Sequence, residues 1–62
     1  MLLKDLMFII NPYEDVRLIV YKGSIYPYEV RKSWKDHHYM NCEVISISSN
    51  DYYLDIEVKD ER

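Results

Sequence analysis

Two short runs in the C-terminal third constrain the fold of this chain more tightly than any other feature. CEVISIS (42–48) and YYLDIEV (52–58) are rich in β-branched and aromatic residues, and Ser49, Asn50 and Asp51 separate them. Asn and Asp bond their own backbone and favour turns, so the two runs read as a β-hairpin. In the second run Leu54, Ile56 and Val58 alternate with Asp55, Glu57 and Lys59. Successive side chains of a strand point to opposite faces, so one face of this hairpin is apolar and the other charged.

Upstream, EDVRLIVY gives a second alternating pattern, with Val16, Leu18 and Val20 on one side and Arg17, Ile19 and Tyr21 on the other. The second side is only half polar, so other side chains should cover part of it. VYKGSIYPYEV (20–30) follows, with three tyrosines, the only glycine and one of the two prolines. Gly23 fits either a two-residue Lys22-Gly23 hairpin loop with positive φ or a bulge in one long bent strand. Pro27 has no N–H to donate, which puts its strand at a sheet edge. Leu2, Leu3, Leu6, Met7 and Ile10 recur at helical spacing and Asn11-Pro12 stops them, predicting one or two turns of N-terminal helix. In RKSWKDHHYMN, Ser33 with Asp36 resembles a capping box, predicting a short helix or irregular turn that carries Trp34. The order is α-β-β-(α)-β-β. It predicts a single α+β domain over residues 1–62, with about four antiparallel strands and one or two short helices, or a small, partly open SH3-like barrel.

A chain of 62 residues buries only about 60% of the surface its unfolded form exposes, so it is marginal without a disulfide, a metal or a partner. Cys42 is the only cysteine, so no internal disulfide exists, and a lone thiol suits a reducing cytoplasm. Lys4 and Asp5 interrupt the apolar start, which is far short of the roughly 20 residues of a membrane span. A cytoplasmic protein is expected. Catalysis needs a nucleophile beside a base or two opposed carboxylates, and Cys42 with the His37-His38 pair is the only near candidate. So small a domain hardly encloses a water-excluding pocket, so no enzymatic activity is expected, and Cys42 reads as a small buried apolar residue. Structural zinc wants paired ligands, and no C-x-x-C or H-x₃-H is present, so no metal or cofactor is expected. One glycine cannot build a phosphate-cradling loop.

Net charge is −3, distributed as +2 over residues 22–40 and −4 over 41–62. The acidic end speaks against a phosphate backbone there and suits a basic partner. Seven tyrosines exceed what a small core takes in with every hydroxyl satisfied. Tyr26 and Tyr28 should share one face of their strand, and adjacent Tyr52 and Tyr53 should face opposite ways. Tyrosine offers large contact area at low entropy cost, so a partner protein, a second copy or a ring-bearing ligand competes with plain strand packing as the explanation.

LLKDLMFII, the VRL that opens the first strand, the Y-K-G-S-I element at 21–25 and CEVISISSNDYYLDIEV (42–58) together resemble small proteins encoded by phages and prophages of Gram-positive gut bacteria. RKSWKDHHY departs from that pattern in being longer and more aromatic. The resemblance implies a cytoplasmic accessory factor of the bacterial host, and several such proteins inhibit bacterial defence systems, anti-CRISPR proteins among them. The expected function is therefore a non-catalytic inhibitor that occludes a functional surface of a host defence protein or nucleoprotein complex. Asp51, Asp55, Glu57, Asp60 and Glu61 would mimic nucleic-acid phosphates or meet a basic groove, and Tyr26, Tyr28, Trp34, Tyr52 and Tyr53 would anchor the contact. A homodimer or higher homo-oligomer is expected, with direct nucleic-acid binding disfavoured. The alternatives are an oligomeric nucleotide binder or sponge, in which Arg31, Lys32 or Lys35 meets phosphates, and a structural or regulatory phage oligomer.

Overall fold

The computed structural model describes residues 1–11, 13–23 and 25–61. Helix α1 spans Leu3–Leu6, strand β1 Val16–Lys22, β2 Ile25–Val30, β3 Glu43–Ser49 and β4 Leu54–Lys59, with one 3-10 turn at His37–Tyr39 between β2 and β3. The strands form one sheet in the order β2-β1-β4-β3.

Two hairpins form: the one predicted over 42–58 and, of the two alternatives at Gly23, the hairpin. β1 pairs antiparallel with β2 through Leu18↔Val30 and Val20↔Tyr28, and β3 pairs antiparallel with β4 through Val44↔Val58 and Ile47↔Ile56. The sheet is nevertheless mixed, not antiparallel throughout, because β1 and β4 run parallel from Val16↔Leu54 to Tyr21↔Lys59. The cause is topological. A hairpin partner reverses direction, but β4 meets β1 only after residues 31–42 have carried the chain from one edge of the sheet to the other. Among the described residues the outer strands are β2 and β3, and only the start of β3 is bridged, by Leu2 to Glu43.

The first hairpin turns one residue later than the Lys22-Gly23 loop expected: Lys22 still belongs to β1 and pairs with Ile25, and Gly23 follows at φ 58°, a left-handed conformation that favours glycine. A register slip also lies within this hairpin: Ile25, not Tyr26, stands opposite Lys22. Of the two roles open to Gly23 the structure shows the hairpin; the slip lies between Val20 and Lys22, away from the glycine, and no single long bent strand forms. Tyr26 lies within this slip, between the Lys22↔Ile25 and Val20↔Tyr28 pairs. Pro27 lies on edge strand β2, as its missing donor requires.

One face of the sheet is buried. Val16, Leu18 and Val20 from β1 and Ile56 and Val58 from β4 pack with Leu3, Leu6, Trp34 and Cys42, and Ile10, Tyr39 and Met40 pack around them. Helix α1 is held over this face by backbone. The first turn of a helix has N–H groups with no internal partner. Here Leu3 N–H donates to the Cys42 carbonyl and Lys4 N–H to the Met40 carbonyl, each at 2.9 Å, while the Asp5 carboxylate accepts from Leu2 N–H at 3.0 Å. The regular helix ends at Leu6, and further turn hydrogen bonds from Ile9 and Ile10 to the Leu6 carbonyl carry the chain onward. The stop assigned to Asn11-Pro12 falls partly on Pro12, outside the described residues.

The 31–42 connection is a series of turns. Its N-cap is Asp36 and not Ser33: the Asp36 carboxylate accepts from His38 N–H at 3.0 Å and starts the 3-10 turn. Ser33 contributes its backbone carbonyl, which accepts from Asp36 N–H. Trp34 is 6% exposed and lies in the core, which corrects the expectation of a surface anchor. A large indole on the segment that crosses beneath the sheet fills the space the strands leave open. Trp34→Ala should lower stability by about 3–5 kcal/mol, enough to unfold most of a chain this small. Urea denaturation followed by circular dichroism checks this. A midpoint within error of wild type would contradict it.

Candidate functional site

The side chains of the second face follow from the parallel register. Arg17 stands beside Asp55, Ile19 beside Glu57 and Tyr21 beside Lys59, while Ser48 and Ser46 of β3 continue the Asp55 and Glu57 rows. A guanidinium and a carboxylate on adjacent strands match in shape, and Arg17 forks Asp55: Nε donates to Oδ1 and an NH2 nitrogen to Oδ2, both at 2.9 Å. Glu29 approaches the other side of the guanidinium at 3.8 Å. Asn50 adds a donor from the turn, with Nδ2 3.2 Å from Asp55 Oδ2. The Arg17 hydrogen bonds, opposed in part by burial, hold the Asp55 carboxyl below its ordinary value, and the same contact raises the Arg17 pKa.

The β3–β4 turn is built by Asn50. Its side-chain oxygen accepts from Tyr52 N–H at 2.8 Å and Tyr53 N–H at 2.9 Å, and its own N–H donates to the Tyr53 carbonyl. Both tyrosines therefore sit in the turn ahead of β4 instead of alternating within a strand. Tyr52 is exposed. Tyr53 is half-buried, and its ring lies 5.3 Å from the Arg17 guanidinium and 4.3 Å from that of Arg31. A cation over an aromatic face is attracted by the ring quadrupole, so Tyr53 ties the turn to the open face.

The acidic residues singled out from sequence do not converge. Asp55 is tied to Arg17. Glu57 is half-buried and hydrogen-bonds the Tyr21 hydroxyl, which raises the Tyr21 pKa. Asp60 is 3% exposed, with its N–H donating to the Tyr21 carbonyl, and so is no surface charge. Asp51 and Glu61 are exposed but flank opposite ends of β4, a strand of about 20 Å, and Glu61 pairs with Lys59 at 3.3 Å. A continuous phosphate-like row is therefore not present on this strand.

The aromatic candidates divide similarly. Tyr26 is 91% exposed on the first hairpin. Tyr28 is 39% exposed, and partial burial and then its hydrogen bond with Tyr39 raise its pKa. Further exposed apolar residues lie outside the set expected from sequence, Phe8, Ile9 and Tyr13 the most exposed among them. Phe8 and Tyr13 are each 93% exposed and Ile9 is 75% exposed on the α1–β1 connection, while Ile10 packs against the core. The spacing held a signal: Phe8 and Ile9 fall off the Leu3-Leu6-Ile10 row that faces inward. In the connection, the Asn11 side chain accepts from Tyr13 N–H at 2.9 Å and the Asn11 carbonyl from Glu14 N–H, a local turn that presents Tyr13 outward.

A shallow hollow of about 490 Å³ lies where the 31–35 segment meets the start of β1, lined by Arg31, Lys32, Lys35 and Tyr53 with Glu14 and Asp15. Among the described residues no carboxylate comes within 4.0 Å of the Arg31, Lys32 or Lys35 nitrogens. Cys42 is buried directly ahead of β3, as its reading as a small apolar residue required. Among the described residues no three of His, Cys, Asp and Glu gather as metal ligands, and no helix is long and apolar enough to cross a membrane. No family model matches the chain, and no curated protein or solved structure matches it.

The Arg17–Asp55 contact gives the fold a pH dependence of definite sign. A carboxyl held below its unfolded value, about 3.9, contributes stability that is fully present above that value and is lost as pH falls through the lower folded value. Thermal midpoints measured between pH 7 and pH 2 should fall more steeply below about pH 4 in wild type than in Asp55→Asn, and the variant should be less stable at pH 7. Parallel curves would contradict this role for Asp55.

Proposed function

We propose that the protein is a non-catalytic binding protein that acts by covering a functional surface of a larger partner protein. The observation that carries this reading is the outward placement of Phe8, Ile9, Tyr13, Tyr26 and Tyr52 in a chain with so little core. Covering a large apolar side chain is worth about 1.5–3 kcal/mol, and rigid aromatic rings are the usual anchors of protein interfaces. Leaving several of them in water is unfavourable for a marginal domain unless a partner covers them. The resemblance to small phage and prophage proteins makes a bacterial defence component, met in the host cytoplasm, the class of target. Asp51 and Glu61, the exposed members of the acidic set, steer approach to a basic surface; Tyr26 and Tyr52 remain as anchors, joined by Phe8 and Tyr13.

Titration against a purified defence complex separates occlusion from catalysis. Inhibition should be complete at one protein per target site. A Phe8→Ser/Tyr13→Ser/Tyr52→Ser variant should weaken it at least 10-fold while keeping the wild-type far-ultraviolet spectrum. Complete inhibition at a small fraction of one equivalent would overturn the reading, as would an unchanged variant.

A second reading, binding of an anionic ring-bearing ligand such as a nucleotide, is favoured by the hollow beside Tyr53. Three cations there have no carboxylate partner among the described residues and offer contacts to phosphates, and the Tyr53 ring, against which Arg31 already lies, forms part of the wall. A ligand that binds only the folded state raises its stability by about 2.7 kcal/mol at 100 times the dissociation constant. A panel of cyclic and linear nucleotides should therefore raise the thermal midpoint of wild type and not of Lys32→Glu/Lys35→Glu. No shift with any of them at millimolar concentration would exclude this reading.

A further inference from the structure

The two edges of the sheet are protected unequally. Edge strand β2 carries Pro27, a register slip and Glu29, which are devices that discourage a further strand from adding. Edge strand β3 has a slip of its own at Ile45, and its first residues are already covered: Leu2 bridges to Glu43, and Val44 N–H donates to the Met1 carbonyl at 2.8 Å. Beyond the slip, Ser46–Ser49 pair regularly with β4, and among the described residues no strand lies outside them. No charged residue occurs between Glu43 and Asp51.

The hydrogen-bond alternation fixes which groups face outward. In an antiparallel pair, opposed residues alternate between those that exchange hydrogen bonds and those that do not. Asn50 N–H donates to the Tyr53 carbonyl at 3.0 Å, so Asn50 and Tyr53 form a bonded pair. Stepping back along the register, Ser49 and Leu54 are not bonded, Ser48 and Asp55 are, and Ile47 and Ile56 are not. The N–H and C=O groups of Ile47 and Ser49 therefore point away from β4 into the open edge. Val44, whose N–H reaches out to Met1, obeys the same alternation on the far side of the slip.

Two outward residues spaced by two make this edge complementary to itself. We propose that a second copy of the chain adds to β3, antiparallel about a two-fold axis at Ser48. Ile47 of each copy then pairs with Ser49 of the other in a ring of four backbone hydrogen bonds, and the two sheets become one. A second copy fits better than a charged partner. Each chain carries a net charge of −3, yet the paired segments meet without a like charge, since the neighbouring Asp55 is neutralised by Arg17 on the strand behind. Ile47 is 49% exposed, and its side chain shares the core-side row of Ile56; pairing extends the core across the new seam. The contact is smaller than the 1,200–2,000 Å² of stable interfaces, so the dimer is weak, with a dissociation constant on the order of 10–100 μM.

Sedimentation equilibrium from 1 μM to 1 mM tests the proposal. Wild type should pass from monomer to dimer across that range. Ile47→Lys, which places like charges side by side at the seam, should remain monomeric, and so should Ser49→Pro, which deletes an outward N–H that β4 does not use. Because the Ser49→Pro change spares the β4 ladder, it keeps the test valid if Ile47→Lys fails to fold. A wild type that stays monomeric at 1 mM overturns the proposal. So does a dimer that survives Ser49→Pro in a protein with the wild-type far-ultraviolet spectrum, since that places the contact elsewhere.

Discussion

The parallel pairing of β1 with β4 is the contact on which the rest of the molecule depends. Each hairpin alone would be a two-stranded ribbon, marginal in water at best. Side by side, they bring Val16, Leu18 and Val20 against Leu54, Ile56 and Val58, the apolar row that α1, Trp34 and Cys42 then cover. The same register sets the opposite face, because it is what puts Arg17 beside Asp55. One pairing thus decides both the core and the charge arrangement. The 31–42 connection makes it possible, and its interior residues Trp34, Tyr39 and Met40 turn the crossing segment into part of the core.

Charge on the open face is largely satisfied internally. Asp55 faces Arg17 and Asn50, Glu57 faces Tyr21, and Glu29 lies near Arg17. An ion pair on adjacent strands, supported by a turn amide and an aromatic ring, gives directional specificity more than net stability. It favours the parallel register over one slipped by a residue, which would send the apolar row to solvent. What remains available to a partner lies at the periphery: the α1–β1 connection, the two hairpin ends, the basic hollow and the β3 edge.

Local patterns in the sequence were enough to place the elements. Alternation in LDIEV and VRLIVY, the sole glycine at a positive φ and the proline on an edge strand all act over a few residues and are found where expected, while the SND turn is displaced, with Ser49 in β3 and Tyr52-Tyr53 in the turn. Strand direction was not legible, because nothing within either hairpin states which strand of one will meet which strand of the other. The same limit explains the site residues. Asp55 reads as an exposed strand charge until the register puts Arg17 beside it, and Asp60 reads as a terminal solvated carboxylate although it is buried. Trp34 lies in a polar stretch, RKSWKD, whose composition gives no hint that the segment crosses beneath the sheet. Aromatic side chains favour strands, so sequence places Tyr52 and Tyr53 in one, but two Asn50 side-chain bonds hold them in the turn. Phe8 and Ile9 were absorbed into an apolar helix whose regular part ends at Leu6.

The measurement that bears most directly on this account is a set of interstrand nuclear Overhauser contacts in isotopically labelled protein, together with amide exchange rates. The parallel pairing predicts backbone proton contacts between Leu18 and Ile56 and between Val20 and Val58, with β1 and β4 amides the slowest to exchange. Contacts that link β1 to β4 with reversed order, or slow exchange confined to one hairpin, would contradict it. The core, the Arg17–Asp55 pair and the free β3 edge would then all need a different explanation.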